Sequence, residues 1–165
     1  MNIVATGRAA DILETRGLLL TPAVLGESIY IYGDDARESR LRIDEELLAQ
    51  LKLRFRAVSL TDEEIALAVR YSEQVDDGEA QTLAVGATQR VVVLTDDGRA
   101  IRYAATLGIT TTTTLDIIKA WTAHVEPAQV RLALRAMRSR ANYAVPRQHA
   151  LREWYAEHLE DAIDL

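Results

Sequence analysis

The chain contains no cysteine. That absence removes disulfides, thiolate nucleophiles and cysteine-based zinc sites, and it fits a reducing cytoplasm, where the protein is expected. Any metal bound here must therefore be held by oxygen or imidazole. Histidine is scarce as well. His124, His149 and His158 lie in the C-terminal part without a ligand-like spacing, so solvated or partly packed rings are expected. No stretch approaches the length of a membrane span, and no membrane is expected among the partners. The segment Met1-Asn2-Ile3-Val4-Ala5-Thr6-Gly7-Arg8 lacks a basic region followed by a long apolar one, so it does not read as a secretory signal. A glycine-rich phosphate loop is missing too, which counts against a phosphate-handling α/β enzyme of the P-loop or dinucleotide kind.

What is present is a chain of 165 residues with 48% hydrophobic content, enough for one sizeable core and an extension. Its formal charge of −6 hides an asymmetry. Between Pro127 and Arg152 stand six arginines (Arg131, Arg135, Arg138, Arg140, Arg147, Arg152) and no Asp or Glu, leaving −12 for everything else. Such a segment can meet a nucleic-acid backbone, an acidic partner or the body's own surface. Arg131, Arg135 and Arg138 follow i, i+4, i+7 spacing and predict one exposed stripe able to bind RNA.

The apolar pattern predicts alternating helices and strands. A short helix through Ala9, Ala10, Ile12 and Leu13 stops near Gly17, and Leu18-Leu19-Leu20 reads as a strand. Thr21-Pro22 starts a helix that places Glu27 on the face of Val24. Gly33 to Arg42 is polar and expected as a loop. Asp44 caps a short helix through Leu47, Leu48 and Leu51, and Phe55 to Val58 is expected as a strand. Thr61-x-x-Glu64 is a capping box opening a helix through Ile65, Ala68 and Val69. Helix 79–88, strand 91–95, helix 98–107, strand 109–111 and helix 114–123 follow, the alternation of a parallel sheet covered by helices. Helices over 127–140 and 147–159 close the chain, with Leu132, Leu134, Met137, Trp154 and Leu159 offering surface for docking or dimerisation.

Two acidic clusters stand out, Asp76-Asp77-Gly78-Glu79-Ala80 before one helix and Thr95-Asp96-Asp97 after one strand. Val91-Val92-Val93-Leu94 reads as a buried parallel strand, and ligands of open α/β sheets gather beyond such strand ends. Several carboxylates converging there would want a divalent metal. Each cluster also has a purely structural reading. Asp76-x-x-Glu79 fits a capping box, and Asp96-Asp97-Gly98 fits a strand-to-helix turn with an Asp as N-cap.

The order helix-Glu27, then Asp77-Gly78-Glu79-Ala80, then Leu94-Thr95-Asp96-Asp97 resembles the PIN domain. The likeness is to small PIN-like proteins whose helix begins with an Asp-x-Gly-Glu-Ala type motif and whose next strand ends in Asp-Asp. It covers roughly Asn2 to Trp121 and is supported by Thr6-Gly7-Arg8-Ala9, Pro22-Ala23-Val24-Leu25-Gly26-Glu27 and Leu107-Gly108-Ile109. The resemblance implies a PIN-like parallel sheet flanked by helices over residues 1–125, with a C-terminal helical extension over 126–165. It implies a metal-dependent ribonuclease, many relatives being toxins held by an antitoxin. Glu27, Glu79 and Asp97 match the family's catalytic acids. With Asp77 and Asp96 beside them they make the implied ligand set for Mg²⁺ or Mn²⁺, cations that prefer oxygen donors. Thr95 matches a hydroxyl residue beside the last aspartate.

The family pattern also has an aspartate on a strand preceding the segment that resembles Asn2 to Gly7, which falls ahead of Met1. If that aspartate belongs to the native protein, an endoribonuclease is expected. If it does not, a catalytically impaired module that binds RNA or protein is the alternative. Thr113 and Ile101 also depart from the family, standing where relatives often carry glycine and arginine, with Arg102 adjacent to the latter.

Overall fold

The computed structural model describes residues 2–14, 16–27, 30–33 and 40–160. In chain order the elements are α1 (Asn2–Ala5), α2 (Ala9–Ile12), β1 (Leu18–Leu20), α3 (Pro22–Gly26), β2 (Tyr30–Tyr32), β3 (Arg40–Arg42), α4 (Glu45–Gln50) and β4 (Phe55–Ala57). There follow α5 (Asp62–Tyr71), α6 (Asp77–Gln89), β5 (Val93–Leu94), α7 (Gly98–Thr106), β6 (Thr111–Thr112), α8 (Thr114–Trp121), a 3₁₀ turn (Thr122–His124), α9 (Pro127–Ala141) and α10 (Arg152–Glu160). The class is mixed α/β, with small parallel strand pairs flanked by helices. The chain forms two compact units, one of residues 1–15, 28–53 and 115–165, the other of residues 16–27 and 54–114.

In the second unit, β1 pairs with β4 and β5 with β6, both parallel. Its core gathers Ala68 and Tyr71 of α5, Val75 just before α6, Ala80, Leu83 and Ala84 of α6, Val93 of β5, and Ala100 and Ala104 of α7. Tyr71 meets Tyr103 edge to face at 5.6 Å. Small residues on α6 bring backbones close. A Cβ added at Gly86 would run into Cγ2 of Val93, so glycine is what lets α6 lie against β5. Glu64 joins the two long helices. It completes the capping box with Thr61 and accepts from the Thr88 hydroxyl (2.8 Å) and the Gln89 amide (3.0 Å) at the far end of α6.

In the first unit, α9 is the centre: α1, α10 and β2 all pack on it. Its Val130, Ala133, Leu134 and Met137 are fully buried. The i, i+3, i+4, i+7 spacing of those four residues makes the buried stripe. Asp44 caps α4 as expected, its Oδ1 accepting from Leu47 N–H at 3.0 Å.

The structure corrects several boundaries. The polar stretch at Arg40–Arg42 is a strand, paired antiparallel with Tyr30–Tyr32. Polarity hid it because a two-stranded ribbon needs only one buried face; residues 34–39 of the expected loop lie outside the described residues. The run Val91 to Leu94 is not buried throughout: Val91 and Val92 are exposed, and only Val93 and Leu94 find partners, Thr111 and Thr112. The strand expected at 109–111 falls at Thr111–Thr112 because Ile109 turns into the core instead. The last helix begins at Arg152 rather than Arg147. Of the residues expected to offer a docking surface, Leu134 and Met137 are interior, while Leu132 is 65% exposed.

Candidate active site

The acidic residues of the second unit stand where short elements end. Thr21 caps α3, its hydroxyl 3.5 Å from Val24 N–H, and Pro22 supplies the preset first helical φ. The helix stops at Gly26, so Glu27 is extended (φ −66, ψ 134) rather than on the helical face of Val24. Ala23 N–H donates to Oε1 of Gln81 at 3.0 Å, which fastens α3 to α6. The Glu27 carboxylate then lies over the first turn of α6. A Cβ at Gly78 would collide with Glu27 Oε1, so the glycine of Asp77-Gly78-Glu79 is the opening that admits it.

Asp76 takes the N-cap position of α6 but makes no side-chain capping bond. The spacing Asp76-x-x-Glu79 therefore does not close as the capping box its sequence allows, in contrast to Thr61-x-x-Glu64. Glu79 is half-buried, and its carboxyl is pushed above the usual range. Burial is the main cause, a hydrogen bond to its own backbone N–H opposes it, and the charges of Asp97, Glu27 and Asp76 add to it. Those repulsions tie Glu27, Glu79 and Asp97, with Asp76, into one electrostatic group. Asp77 is exposed at the first position of α6 and is not among the charges that raise Glu79.

The second cluster divides its labour. Asp97 caps α7, its Oδ1 accepting from Ala100 N–H at 2.7 Å, while its own N–H donates to the Thr95 hydroxyl at 3.1 Å. Asp96 binds Thr114 twice, through the backbone N–H (2.8 Å) and the hydroxyl (2.6 Å), anchoring the start of α8. The turn reading thus holds for Asp97, and Thr95 positions the backbone of that turn.

Among the described residues no three His, Asp or Glu side chains already stand in metal-holding geometry. The chemistry of the donors nevertheless fits a hard divalent cation: every member is a carboxylate, and a cation would offset the negative charge that bears on Glu79.

The stripe expected at Arg131, Arg135 and Arg138 is split. Arg135 and Arg138 line a cleft of about 410 Å³ with Ser139, Asn142 and Leu159, whereas Arg131 is half-buried and outside it. Arg138 also faces Tyr155 of α10: burial raises the phenol's pKa and the guanidinium charge opposes it. Two of the three histidines are engaged locally, His149 Nδ1 accepting from Leu151 N–H (3.0 Å) and His158 Nδ1 lying 2.8 Å from the Trp154 carbonyl.

A family model described as a PIN domain (DUF3368) matches residues 11–153. The chain belongs to the PIN-domain family. The match spans both units and continues through α9 to the start of α10. PIN domains are a nuclease-like family whose members generally use divalent metal ions and commonly bind RNA. No curated protein and no solved structure matches the chain. Among the described residues of this PIN domain no helix is long and apolar enough to cross a membrane.

Two contributors are missing from the ligand set that the resemblance implies. Asp76 belongs to the first acidic cluster and to the capping-box reading, but the family motif begins at Asp77 and passes it over. Gln81 was silent, because its partner Ala23 is 58 residues away and its bond is to a backbone group.

Proposed function

We propose that this PIN domain is a ribonuclease that hydrolyses RNA phosphodiesters with a carboxylate-bound Mg²⁺ or Mn²⁺. Glu27, Glu79 and Asp97 would hold the ion, with Asp77 and Asp96 beside them. The observation that carries this reading is that the charges of Asp97 and Glu27 both bear on half-buried Glu79, beside a glycine that makes room for the Glu27 carboxylate. A chain gains no stability from collecting like charges at one place, so such a group points to a ligand of opposite sign. The bound ion would supply the positive charge that a phosphodiester needs as negative charge develops on it. The chain's own parts act by position. Gly78 admits Glu27, Gln81 fixes the helix that presents it, and the cap on Ala100 holds Asp97 at the end of β5. Arg131, Arg135 and Arg138 are proposed to meet the RNA backbone.

A direct test is cleavage of a labelled single-stranded RNA with Mn²⁺, with EDTA, and with Glu79→Gln. Cleavage that needs Mn²⁺ and is lost in Glu79→Gln supports the proposal; cleavage equal in both proteins refutes it. A toxin restrained by an antitoxin is the proposed setting, and it expects growth arrest on expression that Glu79→Gln relieves. The exposed Leu132 supports self-association, which sedimentation of Leu132→Glu would test.

A second reading, a PIN-like module that binds RNA or protein without cutting, is favoured by one observation. Both oxygens of Asp96 and Oδ1 of Asp97 are already used in capping, which leaves fewer lone pairs for a metal. RNA binding with no cleavage at any Mn²⁺ concentration would favour it.

A further inference from the structure

The hairpin of β2 and β3 carries a pattern that the acidic cluster does not use. Its antiparallel register sets Tyr30 opposite Arg42 and Tyr32 opposite Arg40. Alternate residues of a strand share a face, so all four side chains stand on one side of the ribbon. Arg40 lies over the Tyr32 ring at 5.6 Å from its centroid. The opposite side holds Ile31, which is 6% exposed and belongs to the strand packed on α9. The tyrosine–arginine face is therefore the one turned away from that helix. Tyr30 is 48% exposed, and Arg40 and Arg42 are exposed too. Among the described residues no carboxylate lies within ion-pair distance of Arg40 or Arg42.

We propose that this face binds a single strand of nucleic acid, the exposed Tyr30 ring stacking a base and the guanidinium groups of Arg40 and Arg42 meeting phosphates. Arg40 already lies over the Tyr32 ring, so Tyr32 serves to hold that guanidinium on the face while Tyr30 offers its ring to the strand. Aromatic faces stack any base, which makes the contact tolerant of sequence, and a guanidinium offers both a charge and a second stacking plane. The flanking arginines explain how an acidic protein attracts a polyanion at this place. A duplex, whose bases are already stacked on each other, gives the Tyr30 ring nothing to hold. That the strand is RNA rather than DNA rests on the proposed ribonuclease activity; the stacking itself does not.

The test is fluorescence anisotropy of the full chain with a labelled RNA of about twelve nucleotides in EDTA, so that binding is read without cleavage. The same sequence as single-stranded DNA and as a duplex completes the set. The expectation is that Tyr30→Ala weakens single-strand binding about tenfold and Tyr30→Phe changes it less than about twofold. Arg42→Ala should flatten the dependence of log affinity on log salt by about 0.7, and the duplex should bind more weakly than either single strand. Thermal melts by circular dichroism establish that each variant is folded. Folded Tyr30→Ala and Arg42→Ala binding as tightly as wild type would overturn the proposal, as would Tyr30→Phe weakening as much as Tyr30→Ala, or a duplex binding best. Glu79→Gln separates the two readings: a variant that has lost cleavage but keeps Tyr30-dependent binding leaves the stacking face standing, and a chain that never cleaves yet binds through Tyr30 rejects only the nuclease.

Discussion

The two units of this PIN domain differ in how they hold charge. In the second unit burial foremost, and then the charges of Asp97, Glu27 and Asp76, raise the Glu79 carboxyl above its usual range. In the first unit Arg40, Arg42, Arg135 and Arg138 are spread over a hairpin face and a helix-lined cleft. Crowding like charges costs stability, while scattering exposed ones costs almost nothing. Under the proposed function, the carboxylates of the second unit would take a small, highly charged ligand and the arginines of the first a long polyanion met at many points.

Activity gives the comparison its sharpest test. Asn caps a helix as well as Asp, so Asp97→Asn keeps the bond to Ala100 while removing a negative charge from the cluster. We expect Mn²⁺-dependent RNA cleavage to fall by about 100-fold or more with an unchanged melting temperature. Asp97→Ala should lose about 1 kcal/mol of stability in addition. If Asp97→Asn cleaves like wild type, Asp97 is only a cap and the crowding has no catalytic meaning.

Glu64 provides a carboxylate of the same unit that is crowded by donors instead of charges. The Thr61 backbone N–H foremost, then Gln89 and Thr88, outweigh burial and hold its carboxyl at about 2, below the ordinary 4.5. A carboxyl depressed on folding adds stability above its unfolded pKa and loses it as pH falls from about 4.5 toward 2. Glu64→Gln should cost about 1–3 kcal/mol at pH 7. In urea melts the gap between the two proteins should close as pH drops through that window. A gap that persists at the acid end would mean packing rather than charge-assisted bonding.

Thr61-x-x-Glu64 and Asp76-x-x-Glu79 have the same spacing, and only the first closes as a box. The local signal was legible in both; what it could not show is that the charges of Glu27 and Asp97, from elsewhere in the chain, bear on Glu79. The same division runs through the fold. Helix starts at Thr21, Asp44 and Thr61 could be read because caps act over three residues. Strand β3 could not, because Arg-Leu-Arg shows its nature only against Tyr30–Tyr32. Val91 and Val92 misled for a related reason: β-branching favours a strand but does not say whether a partner reaches that far.

The arginines sharpen the other side of the comparison. Replacing Arg131, Arg135 and Arg138 together by alanine should flatten the salt dependence of RNA binding by about two units if all three meet phosphates. Because Arg131 is half-buried and away from the cleft, a change closer to one and a half units is the expectation from the structure. Equal slopes in wild type and variant would assign these arginines to folding or self-association.

The smallest expected effect discriminates best. Glu79 sits in the first turn of α6, where the helix dipole favours a negative charge by about 0.3–1 kcal/mol. Burial and the neighbouring carboxylates act the other way, and the raised pKa means that together they win. A carboxyl raised on folding favours the protonated fold at low pH and loses that advantage as pH rises through its folded pKa. At pH 7 without metal, then, ionised Glu79 is a burden on the fold. Glu79→Gln should raise the melting temperature in EDTA by about a few degrees, and the gain should shrink as pH falls through the carboxylate range. The same substitution should reduce the rise in melting temperature that Mn²⁺ gives the wild type. A Glu79→Gln protein that melts lower than wild type in EDTA would show the dipole to dominate, and the acidic group would then be a set of helix caps.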